Sequence, residues 1–399
     1  MDLAVPSRTL ADMLSWVARS IPSRPTVPVL AGVVLRVADD ALTIEATDLE
    51  RTFRTRAAAE VTNSGAALVP GRLLAQVARL LPDGPARLRT THSEVLLEGD
   101  GLDYRFARLP LEDYPAARDP LHPIGAVSGP ALADAAARVL PAAGRDELIP
   151  VFTGIEWHQR GDRMHLSATD RYRMATTSLP WESLGRTAPE RILVSARLLA
   201  DVVRGTPPER YEISCSTETE GQAATLGLQF VIGPEQREVR TRLLAGRLPD
   251  LSPHLEASTE LAFWVETDEL RAAVGRVLLT VEDRTPIQLT LDEAVLTLSG
   301  SRPGSAQGRA TVAIAALDEA GAGGTHRFGF NPRYLLDGLS GVRTDLVRIG
   351  VASSTRTVIV HETAHPGGAP DPDHSHLLKL MRLPASNPVS ARSGATNGA

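Results

Sequence analysis

An α+β chain built from three copies of one domain, each with sheets covered on one side by two helices, is predicted by three observations. A strand–turn–strand pattern recurs along the chain, a helix-start landmark follows each copy of it, and an amphipathic helix precedes each copy.

The strand pattern is clearest near the start. Pro28-Val29-Leu30-Ala31-Gly32-Val33-Val34-Leu35 leads into a polar turn at Asp39-Asp40, then Leu42-Thr43-Ile44-Glu45-Ala46-Thr47-Asp48. The second copy reads Pro150-Val151-Phe152-Thr153-Gly154-Ile155-Glu156-Trp157, turns at Gly161-Asp162 and continues from Met164 to Asp170. The interval between Pro28 and Pro150 equals that between Asp48 and Asp170, so both ends of the pattern repeat together. A fainter third copy begins at Pro286 and pairs Gln288-Leu289-Thr290-Leu291 with Val295-Leu296-Thr297-Leu298. β-Branched and alternating residues bounded by Gly and Asp turns are the signature of paired strands.

The helix landmark reads Gly71-Arg72-Leu73-Leu74, then Ala196-Arg197-Leu198-Leu199, then Pro332-Arg333-Tyr334-Leu335-Leu336. It predicts a short second helix in each repeat. The opening helices are predicted over 7–20, 128–140 and 267–279, with Ser7, Ser128 and Thr267 as N-caps. Leu10, Met13, Leu14 and Val17 follow helical spacing, as do Leu270, Val274, Val277 and Leu278. The aperiodic, proline-bearing stretches 109–123 and 247–258 are the joints. The expected domains are therefore 1–120, 125–248 and 255–384. The Ser, Ala, Gly and Asn-rich tail 385–399 is expected to be disordered.

Bulk properties exclude several classes. No apolar run approaches the ~20 residues that span a bilayer, and the first residues lack a signal peptide's basic-then-apolar layout. A lone cysteine, Cys215, cannot form an internal disulfide, so a reducing, cytoplasmic setting is expected. Net charge is −6, which leaves room for basic surfaces if acids and bases occupy different faces. Of the 42 lysine and arginine residues only Lys379 is lysine, so nearly every cation is a permanently charged guanidinium.

Catalytic signatures are missing or misplaced. No phosphate loop, dinucleotide-binding glycine motif, nucleophile elbow or Cys-x-x-Cys pair occurs. His361-Glu362-Thr363-Ala364-His365 spells the zinc-protease pattern, but that chemistry needs a helix. Here the motif follows the strand-like Thr357-Val358-Ile359-Val360 and runs into Pro366-Gly367-Gly368. It is expected to be a solvated loop, with His374 and His376 in similar surroundings. Asp48 and Asp170 are expected to cap turns. No cofactor, metal or catalytic residue is expected, and the chain reads as a binding scaffold.

Three segments carry a specific resemblance. Ser23-Arg24-Pro25-Thr26-Val27-Pro28-Val29-Leu30-Ala31-Gly32, followed by Ala46-Thr47-Asp48-Leu49-Glu50, resembles the first domain of the bacterial sliding clamp, the DNA polymerase III β subunit. Ala168-Thr169-Asp170-Arg171-Tyr172-Arg173-Met174-Ala175 resembles its second-domain signature in the actinobacterial form. Leu377-Leu378-Lys379-Leu380-Met381-Arg382-Leu383 resembles its C-terminal strand. The likeness runs over about 1–384 and agrees with the triplication.

The resemblance implies a head-to-tail homodimer of three-domain subunits, a six-domain ring around duplex DNA with helices inside and sheets outside. Helix arginines would attract phosphates without reading bases. Arg8 and Arg19 belong to this set in outline, and Arg24, Arg72, Arg79, Arg138, Arg197, Arg204, Arg276 and Arg333 are the expected DNA contacts, with Arg24 foremost. Tyr104 and Phe106 would meet Leu278 and Leu279 across the dimer interface, intradomain packing being the competing role. A pocket for short linear peptides of the polymerase, clamp loader and repair proteins is implied at Phe152, Thr169, Arg171, Tyr172, Arg173, Met174, Pro249, Thr357, Leu377, Met381, Arg382 and Leu383.

Departures from the family pattern fall in that pocket. Lys379-Leu380 stands where the family has Met-Pro, and Pro253 lies near the place of a family arginine. Drift in a duplicated copy would scatter such changes. Selection against a pocket-binding antibiotic would place them at the rim, giving a specialised self-resistance clamp. Two other readings stay open: a clamp-derived regulatory or decoy protein, and a metal-dependent hydrolase built on His361 and His365.

Overall fold

Helices form where the periodic apolar runs place them. In α1 (Ser7–Val17) the residues Leu10, Met13, Leu14 and Val17 are buried along one stripe, and a 3-10 turn (Ala18–Ser20) continues it. The other helices are α2 (Gly71–Ala78), α3 (Gly129–Val139), α4 (Ala196–Val202), the short α5 (Ser252–Leu255), α6 (Thr267–Leu278) and α7 (Pro332–Ser340). α1, α3 and α6 are the opening helices of the three repeats, and α2, α4 and α7 begin at the Arg-Leu-Leu landmark.

This computed structural model describes residues 1–115, 121–185, 189–216, 224–250, 252–255, 259–282, 285–292, 295–318, 324–352 and 355–383. The tail expected at 385–399 lies outside the described residues. The chain divides into two units, Met1–Asp170 with Thr176–Pro249, and Arg171–Ala175 with Asp250–Ala399.

The opening helices are not capped as the sequence suggested. Ser7 and Thr267 are the first helical residues, and Ser128, at the cap position, makes no side-chain capping bond. The Ser7 hydroxyl donates instead to the Pro82 carbonyl (2.8 Å) and that of Thr267 to the Thr344 carbonyl (2.9 Å). A tertiary contact replaces the local cap. The N–H groups of Ser7, Gly129 and Thr267 donate to the carbonyls of Gly84, Glu209 and Asp345. Each acceptor lies one residue before a strand: Pro85–Thr90, Arg210–Ser216 and Leu346–Ala352. All three repeats thus satisfy an orphan helix amide in the same way. In the second repeat the approach is so close that a Cβ at Gly129 would lie 1.8 Å from the Pro208 carbonyl oxygen.

In the first unit nine strands form one sheet in the order Glu182–Ser183, Pro123–Ser128, Arg210–Ser216, Thr225–Ile232, Glu235–Arg242, Arg51–Ala58, Ala41–Thr47, Gly32–Ala38 and Gly65–Pro70. The sheet passes from the second repeat to the first where Glu235–Arg242 pairs antiparallel with Arg51–Ala58. A five-stranded sheet holds Asp2–Pro6 and ends at the edge strand Leu102–Ala107. In the second unit His374–Lys379, Thr357–Thr363, Leu346–Ala352, Leu261–Glu266 and Ala316–Leu317 are neighbours in that order. A four-stranded sheet runs from the edge strand Ala306–Ala313 through Val295–Arg302 and Ile287–Asp292 to His326–Phe330. One core of Leu, Val, Ile and Phe side chains fills this unit beneath α6 and α7.

The zinc-protease pattern is not helical. His361 and Glu362 lie on the strand Thr357–Thr363 and His365 in the turn after it. Alternation sends His361 and Glu362 to opposite faces, and the buried Glu362 carboxylate accepts the Arg343 backbone N–H. The solvated-loop expectation holds for Ala364, His365, Pro366 and Gly367 but fails for His374 and His376, which are fully buried. They stand two apart on the strand His374–Lys379, facing α7. A Cβ at Gly338 or Gly341 would come within 2.8 Å of the imidazole of His376 or His374.

Neither ring nitrogen of His376 has a hydrogen-bond partner among the described residues. Burial, then the charges of His374 and Arg173, push its pKa down from 6.5 to about 3. Burial likewise lowers His361 to about 4. The unfolded chain therefore takes up these protons first as pH falls through 6.5, and stability declines until the folded values are reached. We expect unfolding free energy, followed by urea denaturation between pH 7 and pH 4, to fall with a slope approaching ~1.4 kcal/mol per pH unit for each proton. His376→Leu should flatten the profile, and an unchanged slope in that variant would remove His376 as the cause.

Candidate functional site

The second unit carries an apolar cluster outside its main core. Met174, Ile359 and Leu377 are 8%, 2% and 4% exposed, and half-buried Leu255 of α5 packs on them. Register explains the meeting: Ile359 pairs with Leu377 and Thr357 with Lys379 in the antiparallel ladder. Alternate residues share a face, so Leu377 and Lys379 stand on one side while Leu378 enters the main core. On the other flank the Lys379 N–H donates to the Tyr172 carbonyl (2.9 Å), seating the segment Arg171–Ala175 beside the strand.

That segment is held from below. Arg173, 8% exposed, donates to the Asp337 carboxylate, and its guanidinium lies 4.2 Å from the centroid of the Tyr334 ring. Both partners come from α7, so one helix supports the base of the site and covers His376. A planar guanidinium meets a carboxylate and an aromatic face together in a way an ammonium cannot. Arg171 adopts a left-handed backbone (φ 81°), as Leu49 does at the equivalent place in the first repeat (φ 76°). The turn after each Thr-Asp pair is therefore the same strained shape.

Beyond Lys379 the chain changes sheets. The Leu380 N–H donates to the Arg356 carbonyl (2.9 Å), and the Met381 N–H to the Gly329 carbonyl (2.8 Å). Half-buried Leu380 packs on the main core, and Leu383 lies against Gly329. Residues 380–383 thereby cover the outer edge of His326–Phe330.

Of the predicted pocket residues, Arg171, Tyr172, Arg173, Met174, Pro253, Thr357, Leu377, Lys379, Leu380, Met381, Arg382 and Leu383 belong to this unit. Thr357 is fully buried, while Tyr172, Pro253, Lys379 and Arg382 are exposed. Phe152, Thr169 and Pro249 belong to the first unit, where Thr169 is buried, Phe152 half-buried and Pro249 exposed. Sequence reasoning missed Ile359, Leu255, Tyr334 and Asp337. Ile359 was signalled, two residues from Thr357 on the same strand face. The α7 pair had no local signal, since Arg173 and Asp337 are 164 residues apart.

The predicted basic residues differ in availability. Arg24, Arg197 and Arg276 are exposed and make no side-chain ion pair or hydrogen bond among the described residues. Arg333 is exposed on α7. Arg72 donates to the Ile21 carbonyl (2.6 Å) and Arg79 to Ser15 Oγ (3.0 Å). Arg138 pairs with Asp134 (2.8 Å), Arg204 with Asp201 (3.0 Å) and Arg8 with Asp83 (2.7 Å). Arg19 is half-buried over Trp16 and donates to the Asp201 carbonyl, so it serves packing. At the predicted interface, Leu279 is 80% exposed and Leu278 packs on the core. Tyr104 is half-exposed on the edge strand, and Phe106 is buried within its own domain.

Comparison with known proteins matches the three repeats in order. Residues 1–118, 126–250 and 257–369 match the family models of the N-terminal, central and C-terminal domains of the DNA polymerase III β subunit. The chain is 32% identical over 384 residues to the β sliding clamp of Streptomyces coelicolor, covering 96% of this chain and all of that one. It is equally similar, with the same coverage, to the β sliding clamp homolog GriR of Streptomyces muensis. The Pseudomonas aeruginosa β subunit superposes with a TM-score of 0.83 at 23% identity over 96% of this chain and all of that one. A Pseudomonas aeruginosa clamp bound to griselimycin superposes at 0.82, also 23% identical, with the same coverage. No helix among the described residues is long and apolar enough to cross a membrane. The chain belongs to the DNA polymerase III β-subunit family, the bacterial sliding clamps, which are non-catalytic processivity factors.

Proposed function

We propose that two copies of this chain join head to tail around duplex DNA and tether the replicative polymerase, with the clamp loader and repair proteins using the same docking site. The ordered succession of three β-subunit domains along one chain carries this reading. Each step has a physical basis in the molecule.

Ring closure needs complementary surfaces. Leu102–Ala107 in the first unit and Ala306–Ala313 in the second are both edge strands of their sheets among the described residues. An edge strand offers a row of unpaired N–H and C=O groups to another chain. α6 packs over Ala306–Ala313 and ends beside exposed Leu279. Pairing the two edges across a dimer would cover Leu279 and satisfy both ladders. Leu279→Asp should turn the dimer into a monomer in sedimentation velocity while circular dichroism stays unchanged. A dimer that survives this change would place the interface elsewhere.

DNA contact requires cations that are not already spent on acids. Arg24, Arg197 and Arg276 meet that requirement, and weak phosphate contacts suit a protein that slides. Replacing Arg24 by alanine should lower the slope of log affinity against log salt by at most about 0.9 for duplex DNA, measured by anisotropy at low salt. An unchanged slope would exclude Arg24 as a phosphate contact.

The site at Met174, Ile359 and Leu377 supplies an apolar seat for a linear peptide, flanked by polar groups. Here this chain departs from its family. A proline at 380 could not donate the hydrogen bond that Leu380 makes to Arg356, and Lys379 sets a cation beside the apolar seat. Lys379 sits at the rim, Leu380 packs on the core behind it, and both changes leave the base around Arg173 intact, which favours a self-resistance clamp over drift. We expect a fluorescent clamp-binding peptide to bind the purified protein. Griselimycin should displace it at least about tenfold less well, ~1.4 kcal/mol, than it does from the Streptomyces coelicolor clamp. Equal displacement from both would make this an ordinary clamp, and absence of peptide binding would favour the decoy reading.

A further inference from the structure

Lys379 points to the charge of the peptide that this site accepts. Its backbone is committed, N–H to the Tyr172 carbonyl, but its side chain is exposed and makes no ion pair among the described residues. It stands on the sheet face of Leu377 and Ile359, across the ladder from Thr357. By contrast, Asp337, the carboxylate nearest the base of the site, is already bound to Arg173.

An apolar patch beside an exposed lysine that makes no ion pair among the described residues is incomplete electrostatically. Its charge raises the potential felt by an incoming group at this face, most at low salt. We infer that this site selects linear peptides in which the apolar anchor is flanked by Asp or Glu, and that Lys379 is the residue that sets the preference. The inference rests on the peptide-docking reading and adds to it the chemistry of the partner. It also gives the Lys379 substitution a positive role: a neutral apolar ligand gains nothing from the ammonium and meets its hydration shell, whereas a carboxylate beside the anchor pairs with it.

The test uses the full-length protein and two labelled peptides with the same pair of leucine anchors, one followed by Asp and the other by Asn. Anisotropy titration should show the acidic peptide binding about three- to fivefold tighter at low salt, the range of an exposed ion pair, with the gap closing at high salt. Lys379→Met should abolish the difference between the two peptides. Lys379→Gln should do the same without adding apolar surface. Equal binding of both peptides to the unaltered protein, or a preference that persists in both variants, overturns the inference while leaving the docking site standing. Failure of both peptides to bind removes the docking reading and this inference together.

Discussion

The site depends on one geometric constraint, the alternation of side chains along the strand His374–Lys379. Its even positions, His374, His376 and Leu378, face α7 and the main core. Its odd positions include Leu377 in the outer apolar cluster and Lys379 beside it. A slip of one residue would exchange these sets, placing an ammonium in the core and imidazoles on the surface. The register is held from both sides, by the ladder to Thr357–Thr363 and by the Lys379 bond to Tyr172. α7 adds a third restraint because its glycine faces fit against the two imidazoles, and its Tyr334 and Asp337 grip Arg173. Core packing and the outer site are therefore two readouts of one register.

The first unit solves a different problem, joining two repeats. Sheet pairing between Glu235–Arg242 and Arg51–Ala58 makes the connection with backbone hydrogen bonds, which are indifferent to sequence. Side chains then make the joint specific. Trp16 packs against Phe53 and Phe230 with ring centroids 4.9 and 5.4 Å away, and the guanidinium groups of Arg19 and Arg237 lie over it. Arg51 bridges Asp48 and Asp201 while largely sheltered from water. Such charge pairs contribute less to stability than their number suggests, because desolvation offsets attraction. The Arg51 bond to Asp201 ties the first repeat to the second at this joint.

Much of the fold was legible because repetition amplifies weak local signals. The paired strands, the opening helices and the second helices at the Arg-Leu-Leu landmark appear where periodicity puts them, but Pro28–Ala31 and Pro150–Thr153, read as part of the strand pattern, are 3-10 turns that lead into strands beginning at Gly32 and Gly154. Asp48 caps its turn, accepting the N–H groups of Glu50 and Arg51. The failures share a cause. Ser7, Ser128 and Thr267 looked like caps, yet each helix amide finds its acceptor on a chain segment distant in sequence. His374 and His376 looked solvated because prolines and glycines precede them, and the ladder to Thr357–Thr363 together with α7 buries them. Tyr334 and Asp337 escaped notice for the same reason. Arg138 and Arg204 read as available cations until their carboxylate partners were seen.

The rim substitutions can be weighed against the scaffold that carries them. A leucine at 380 supplies a backbone donor that a proline would lack, and the protein uses it in a bond to Arg356. Arg356 itself occupies a left-handed conformation (φ 53°) that an arginine tolerates poorly. A freshly unconstrained segment resting on a strained turn would be expected to loosen if drift had produced it. Instead Leu380 is packed on the core, Met381 is tied to Gly329, and the Arg173 base below is complete. The leucine at 380 is thus matched by a contact beneath it. That pattern fits the proposed retuning of the site for ligand choice, with the bond at 380 holding the seat in place beside the charge at 379.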